Sequence, residues 1–239
     1  MTRAAASTDA PPRILHAGYL ERSQLPLTSL VFLLPLVIVY EILIRRYGME
    51  IVAASLLQRF FLFFGATGRY LPAFSLVGIL LTWHIARNDS WQLKFGTFFG
   101  MAVESIALVL PIILLNALAA RIPLAATEGS AAKPLVMALG AGIYEELVFR
   151  LIAFTFLNLL LLDVLKLRKW LGYLLIVLIS GLLFGAYHYL GLGEVFDGRK
   201  FAFRVLAGIY FGTIFLFRGF GITAGTHTAY DILWWFSNS

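Results

Sequence analysis

Ionisable residues lie inside long apolar stretches of the C-terminal half of this sequence, at spacings that suit acid–base chemistry. Three segments carry them: Gly142-Ile-Tyr-Glu-Glu-Leu-Val-Phe-Arg150, Phe184-Gly-Ala-Tyr-His188 and His227-Thr-Ala-Tyr-Asp231. A charged side chain at the middle of a bilayer costs several kcal/mol, so it usually faces a protein interior or a water-filled cavity and has a function. These residues are therefore the candidate site.

Helical spacing separates the tasks that these residues could perform. Glu146 and Arg150 are four residues apart, so they share a helix face and can pair. Glu145 points about 100° away from its neighbour, which leaves it free for another task. His227 and Asp231 are also four apart. For Glu145 and Glu146, a structural ion-pair network with Arg150 stays open as the alternative. For His227 and Asp231, the alternative is a local hydrogen-bonded pair.

The chemistry that this set suits is hydrolysis of an acyl bond. One carboxylate and one neutral imidazole can share a water and take its proton. A second imidazole can donate a hydrogen bond to the oxygen that becomes negative in the tetrahedral intermediate. The sequence contains no cysteine, no Gly-x-Ser-x-Gly elbow and no His-Glu-x-x-His motif. A thiolate nucleophile and the usual serine and zinc motifs are thereby excluded.

The composition indicates that lipid surrounds the elements that must position these residues. Hydrophobic residues make up 60% of the chain, charged residues only 13%, and the mean hydropathy is +0.86, which excludes a water-soluble globule. Lys and Arg flank the apolar runs, so the net charge of +6 indicates lipid headgroups as neighbours. No basic tract suits nucleic acid.

A bilayer core needs about 20 apolar residues per helix, and on this measure the sequence predicts seven crossings. The predicted spans are 25–44, 70–86, 97–119, 135–162, 171–191, 201–217 and 221–236. Residues 51–65 have Gln58 and Arg59 at their centre, which is typical either of an interfacial helix or of an eighth crossing. Lys and Arg are about equal on the two sides, so the orientation stays open.

We therefore expect an all-α, polytopic transmembrane bundle of about seven to eight helices. A polar N-terminal tail would cover residues 1–24, and a single transmembrane domain would cover 25–239, with the catalytic motifs in 135–236. Three small-residue pairs predict close helix contacts: Gly96/Gly100, Gly181/Gly185 and Gly208/Gly212.

Other charged or polar residues near the spans are expected to have structural roles. Glu41 and His84 lie near predicted span ends and can reach the interface. Glu104 is deeper and is interpreted as a packing or hydrogen-bonding residue. Arg204 and Arg218 are interpreted as anchors that extend to the membrane surface.

The three segments resemble the motifs of the CAAX protease and bacteriocin-processing (CPBP) family of glutamyl intramembrane proteases, which includes type II CAAX prenyl endopeptidases. Those motifs are Glu-Glu-x-x-x-Arg, Phe-x-x-x-His and His-x-x-x-Asn/Asp on successive helices. Here they occur in this order over about the last hundred residues. Each motif alone is weak, but three in order inside membrane spans are specific.

The resemblance implies an intramembrane endopeptidase that uses no metal or other cofactor. It would cut a membrane protein or peptide within a bilayer, as a multi-pass protein of a bacterial cytoplasmic membrane. By the same resemblance, Glu145 and His188 would activate the attacking water, and His227 with Asp231 would form the part of the site that stabilises the oxyanion. Three further residues would support the site: Glu146, Arg150 and Phe184.

One departure from the family pattern concerns Asp231. An ionised aspartate cannot donate a hydrogen bond as the asparagine of eukaryotic members can, so Asp231 either stays protonated or orients His227. Two rival functions stay open. One is a zinc-dependent hydrolase with Glu145, His188 and His227 as ligands, and the other is a non-catalytic, immunity-type protein that binds a peptide. The sequence does not identify the substrate.

Overall fold

The computed structural model describes residues 18–48, 51–118, 132–190 and 195–238, so residues 1–17 of the predicted tail lie outside it. Within the described ranges the chain is entirely helical and contains no strand. The helices found there are α1 (Tyr19–Ser23), α2 (Pro26–Tyr47), α3 (Val52–Phe63), α4 (Leu71–Ala86), α5 (Phe95–Leu118), α6 (Pro134–Val164), α7 (Lys169–Tyr187), α8 (Gly198–Arg218) and α9 (Phe220–Asn238).

The predicted all-α transmembrane bundle is confirmed. The helices α2, α5, α6, α7 and α8 are long and apolar enough to cross a membrane, and α3 and α4 are shorter apolar helices. The largest difference from the predicted span ends occurs in α7, which stops at Tyr187 rather than at residue 191. His188 therefore forms the C-terminal cap of α7.

Helix α9 lies at the centre of the bundle. Every residue from Phe220 to Thr228 is buried, and α9 packs against α2, α5, α6 and α8. This stretch contains glycine, threonine and histidine, which are poorly suited to contact acyl chains, and the surrounding helices shield it from lipid.

Contacts between helix ends define two sides of the bundle. The near side is the one at which α2 begins, where the Gln24 side chain donates to the carbonyl of Phe217 at the end of α8 (3.0 Å). The far side is the opposite one, where α7 ends. The last turn of α4 lies toward the near side, because it lines one cavity together with the C-terminal half of α6 and the first turns of α7.

Helix α3 does not add an eighth crossing. Its 12 residues span about 18 Å, which is less than the roughly 30 Å of a hydrocarbon core. It begins on the far side, where α2 ends, and α4 then returns to the near side. Its exposed Phe63 (85%) and the adjacent Phe64 (67%) fit a helix at the membrane interface. Within the described ranges, seven helices, α2 and α4 to α9, thus run from one side of the bundle to the other.

A polar cluster joins α1, α5 and α8 on the near side. The Tyr19 hydroxyl donates to Glu104 (2.5 Å), and Arg218 Nη2 donates to the same carboxylate (2.8 Å) and to Ser23 Oγ (2.9 Å). Burial and the adjacent carboxylate raise the pKa of Tyr19 to about 12. The hydrogen-bonding role expected for Glu104 is confirmed. The expected anchor role of Arg218 is wrong, because its guanidinium turns inward to this cluster.

The described part of the segment between α7 and α8 is held by polar contacts on the far side. Asp197 accepts hydrogen bonds from the backbone N–H groups of Arg199 (2.8 Å) and Lys200 (3.2 Å). These bonds, that of Lys200 first, hold the pKa of Asp197 below its usual range. The Tyr189 hydroxyl donates to the Asp197 carbonyl (3.0 Å), and the Arg204 guanidinium lies 5.3 Å from the centre of the Tyr189 ring.

Glycines allow α7 and α8 to pack closely, as predicted. A Cβ atom added to Gly208 would lie 2.9 Å from the Cα atom of Gly181, and one added to Gly185 would lie 2.5 Å from Val205 Cγ2. Gly96 is different, because a Cβ atom there would have nothing within 4 Å. Its predicted role in a close helix contact is wrong, since this face of α5 points away from the bundle.

Candidate active site

The two adjacent glutamates lie where α6 changes its winding. Wide, π-type turns cover Ala141–Glu145 and Leu147–Ile152, and such turns are rare and frequent at functional sites. Both carboxylates are buried, with Glu145 at 6% exposure and Glu146 at 0%. The two carboxylates have different neighbours. Glu145 faces α7, and Glu146 faces α9.

Glu146 contacts a cation and an imidazole at the same time. Its Oε2 atom lies 3.0 Å from Arg150 Nε, four residues along α6. Its Oε1 atom lies 2.8 Å from His227 Nδ1 on α9. Because Glu146 is paired with a guanidinium, its carboxylate acts as the acceptor and His227 Nδ1–H as the donor. Glu146 therefore fixes the orientation of the His227 ring as well as offsetting the buried charge of Arg150.

Arg150 is fully buried, and several groups compensate its charge. Besides the ion pair with Glu146, Arg150 Nη2 donates to the carbonyl of Gly208 on α8 (2.9 Å). Its guanidinium carbon also lies 4.8 Å from the centre of the Phe184 ring and 5.7 Å from that of Phe211. Cations at such distances are attracted to aromatic faces. Arg150 thus links α6 to both α7 and α8 beneath the site.

His227 is held by a ring stack and by carboxylates on two sides. Its ring stacks on Phe211 with centroids 4.5 Å apart and an interplanar angle of 19°. Its Nε2 atom lies 3.5 Å from Asp231 Oδ2, which is longer than a normal hydrogen bond. The Asp231 side chain is 27% exposed, against 0% for that of Glu146. Asp231 therefore faces His227 from the more open side.

Glu145 and His188 face each other across a short gap. His188 Nε2 lies 4.0 Å from Glu145 Oε2. The other ring nitrogen, Nδ1, is 2.8 Å from the carbonyl of Phe184, and since a carbonyl only accepts, Nδ1 carries the proton. Nε2 of the neutral ring then directs its lone pair toward the carboxylate. The Tyr187 hydroxyl also interacts with Glu145.

Close packing of α6 on α9 brings the side chains of Glu146 and His227 together. A Cβ atom on Gly142 would lie 2.0 Å from Thr228 Oγ1, 2.6 Å from the Thr228 nitrogen and 2.8 Å from its Cα. Only glycine allows the two backbones to approach this closely. The contact lies one turn from Glu146 on α6 and beside His227 on α9, so it sets the distance between these two side chains.

The structure brings together all seven side chains that the sequence singled out. They are Glu145, Glu146, Arg150, Phe184, His188, His227 and Asp231. The sequence paired Glu146 only with Arg150, whereas the structure also bonds it to His227. Phe211 and the carbonyl of Gly208 were missed, because α8 carries none of the three motifs and neither group is distinctive in a sequence.

Two residues expected to be structural lie outside this cluster. Glu41 accepts a hydrogen bond from the Tyr144 hydroxyl (3.0 Å), which agrees with that expectation. His84 is 0% exposed and packs edge-on against Trp91, with ring centroids 4.5 Å apart. The prediction that His84 reaches the interface is therefore wrong, because the segment after α4 folds Trp91 over it.

The helical bundle and its buried group of carboxylates, imidazoles and a guanidinium fit a membrane-embedded peptidase. Residues 127–233 match the family model described as Rce1-like, type II CAAX prenyl endopeptidase Rce1-like. This part of the chain is accordingly a domain of that family and carries every residue of the site. Comparison with curated proteins and with solved structures finds no match to the chain.

Proposed function

We propose that this membrane peptidase is an intramembrane endopeptidase in which Glu145 and His188 activate the attacking water. Its substrate would be a membrane-associated protein or peptide. The observation that carries the proposal is the 4.0 Å separation of Glu145 Oε2, on a buried side chain, and His188 Nε2, on a partly exposed ring. A water placed between them would donate one hydrogen to each.

The proposed first step is attack of this water on the peptide carbonyl. Glu145 takes one proton as the water oxygen bonds to the carbonyl carbon, and His188 Nε2 orients the water through its other hydrogen. When the carbon–nitrogen bond breaks, Glu145 returns its proton to the leaving nitrogen. The products are a new carboxyl terminus and a new amino terminus, so atoms and charge balance.

His227 is proposed to stabilise the carbonyl oxygen as it becomes negative. Because Nδ1–H donates to Glu146, the ring donates from Nε2 only in its doubly protonated form, and Asp231 faces that nitrogen. Asp231 would therefore orient and balance His227 rather than donate to the substrate. Stacking on Phe211 fixes the ring in advance, which is what efficient transition-state stabilisation requires.

The side chains favour this scheme over zinc ligation by Glu145, His188 and His227. A ligand histidine must direct a ring nitrogen at the metal. Both nitrogens of His227 instead face carboxylates outside that set, those of Glu146 and Asp231.

Access to the site would be from the far side, where the His188 side chain is 21% exposed.

The test compares wild type with Glu145→Gln and with the matched control Glu41→Gln. In the control an amide oxygen can still accept from Tyr144, so folding should be unaffected. Membranes from cells carrying each form would be examined by terminus-directed proteomics. Peptides released by wild type and by Glu41→Gln should stay uncut with Glu145→Gln, and cleavage of a synthetic peptide spanning the identified site should fall by about 10²- to 10⁴-fold.

Three outcomes would overturn the proposal. Cleavage at the wild-type rate by Glu145→Gln would exclude this residue as the base, and loss of cleavage on chelation with recovery on adding zinc would indicate a metalloenzyme. A pure binding protein would give identical termini in all three membranes.

A further inference from the structure

A cavity separate from the proposed active site lies in the near-side half of the bundle. It has a volume of about 700 Å³ and lies between α4 on one side and α6, α7 and α8 on the other. Helix α4 packs against α2 and α3, so its opposite flank forms a wall of this cavity. The described residues that line it include none of the four proposed catalytic side chains. The cavity is thus a separate feature within the membrane-spanning helices.

The lining is mostly apolar, and two of its polar side chains, Asn158 and Tyr173, lie toward the near-side ends of α6 and α7. Tyr173 lies four residues into α7, and Asn158 lies six residues before the end of α6, which places both within about 10 Å of the near-side helix ends. Leu151 and Ile79, which also line the cavity, lie deeper. Thr155 adds little polarity, because its hydroxyl donates to the carbonyl of Leu151 (2.5 Å).

Cations lie at the shallow end of the cavity. Residues 163–169, at the junction of α6 and α7, carry Lys166, Arg168 and Lys169, all of them exposed, against one acid, Asp163. Lys169 begins α7, one turn before Tyr173 of the lining. Arg87, at the end of α4, is paired with Asp89 (2.7 Å) and adds little net charge. The uncompensated positive charge is therefore on the α6–α7 segment.

We propose that this cavity, with its basic entrance, binds one anionic glycerophospholipid from the surrounding leaflet. An acyl chain would occupy the deep apolar part, the glycerol esters would face Asn158 and Tyr173, and the phosphate would face Arg168 and Lys169. The volume lies within the roughly 300–1,000 Å³ of small-molecule sites. A transmembrane helix, which is about 10–12 Å in diameter, is a poorer fit. Attraction of an anionic headgroup by juxtamembrane cations is expected.

The decisive variant narrows the cavity at Gly78 without disturbing the fold. Gly78 lines the cavity, and a Cβ atom there would have nothing within 4 Å, so Gly78→Leu adds volume into open space. The matched control is Gly96→Leu, which also has nothing within 4 Å and lies on α5. A second pair tests charge: Arg168→Gln with Lys169→Gln, against Arg45→Gln with Arg46→Gln at the end of α2.

Purified protein in detergent would be titrated with phosphatidylglycerol or phosphatidylcholine of identical acyl chains, and bound lipid counted by native mass spectrometry. We expect wild type and both controls to retain one phosphatidylglycerol at concentrations where phosphatidylcholine is lost. Gly78→Leu should retain neither lipid. The Arg168/Lys169 variant should bind phosphatidylglycerol about 30-fold more weakly, and free glycerol phosphate should not compete.

Three results would overturn the proposal. Equal retention of the two lipids by wild type would remove the headgroup preference. Undiminished lipid binding by Gly78→Leu would place the lipid elsewhere on the surface. A protein subunit that copurifies with wild type and is lost only from Gly78→Leu would identify a partner helix as the occupant. Folding of every variant would be checked by its unfolding temperature in the same detergent.

Discussion

At the scale of single residues, the buried charges are organised around Glu146. Its carboxylate contacts Arg150 Nε at 3.0 Å and His227 Nδ1 at 2.8 Å, and its side chain and that of Arg150 are both 0% exposed. An ion pair taken out of water gains little net stability, but removing one partner leaves an uncompensated charge. Arg150 thus offsets the buried charge of Glu146, whose carboxylate also holds His227.

Replacing Arg150 therefore tests the organisation of these charges. Arg150→Met should lower the free energy of unfolding by about 3–5 kcal/mol, because Glu146 would be buried without its cation. Adding Glu146→Gln should restore much of that loss, since a neutral amide still accepts from His227. Unfolding in mixed micelles would be measured for both variants, with Arg59→Met on the exposed part of α3 as control. Equal instability of the single and double variants would contradict this account.

At the scale of helices, the site depends on how closely α6 approaches α9. The contact between Gly142 and Thr228 involves backbone as well as side-chain atoms of Thr228, so neither helix can move closer and any larger residue would separate them. The Glu146–His227 bond spans the same pair of helices. Small-residue contacts of this kind are how membrane helices gain close packing without a hydrophobic driving force.

Gly142→Ala should therefore reduce both stability and activity. The added methyl group overpacks the contact at a cost of about 1–3 kcal/mol, and a shift of about 1 Å between catalytic groups can reduce the rate about 10²-fold. Thr228→Gly should not rescue it, because the Thr228 nitrogen and Cα remain in the way. Gly96→Ala, which adds a methyl group into open space, is the control. Wild-type peptide cleavage by Gly142→Ala would disprove the argument.

At the scale of the whole molecule, the contacts between helix ends imply seven crossings with α3 lying on the far side. The described ends of the chain then lie on opposite sides, with α1 on the near side and the end of α9 on the far side. On the two proposals above, the active site and the cavity beside α4 would open toward opposite sides as well. A substrate and a bound lipid would consequently approach the protein from different leaflets.

The chain has no cysteine, so single introduced cysteines can test this topology without background. The exposed positions Arg46, Thr67 and Val195 should react with a membrane-impermeant maleimide from one face, and Gln92 from the other. Labelling would be compared in vesicles of both orientations. Reaction of Thr67→Cys from the face opposite to Arg46→Cys would mean that α3 crosses the membrane.

Much of the architecture could be predicted from the sequence because a lipid environment permits few backbone structures. A backbone in hydrocarbon must satisfy its own hydrogen bonds, so each long apolar run becomes a helix, and the predicted spans agree with the observed helices. The cost of burying charge likewise singled out Glu145, Glu146, Arg150, His188 and His227 before any contact was known. Spacing within one helix was enough to pair Glu146 with Arg150.

Only the tertiary structure decided which groups meet across helices. Glu146 and His227 are 81 residues apart in sequence, and their contact depends on the rotation and depth of α6 and α9, which the Gly142–Thr228 packing sets. The inward turn of Arg218, the burial of His84 and the cavity beside α4 depend in the same way on neighbouring helices. Apolar periodicity within a span is independent of its neighbours, whereas a side chain's partner is set by how separate spans pack together.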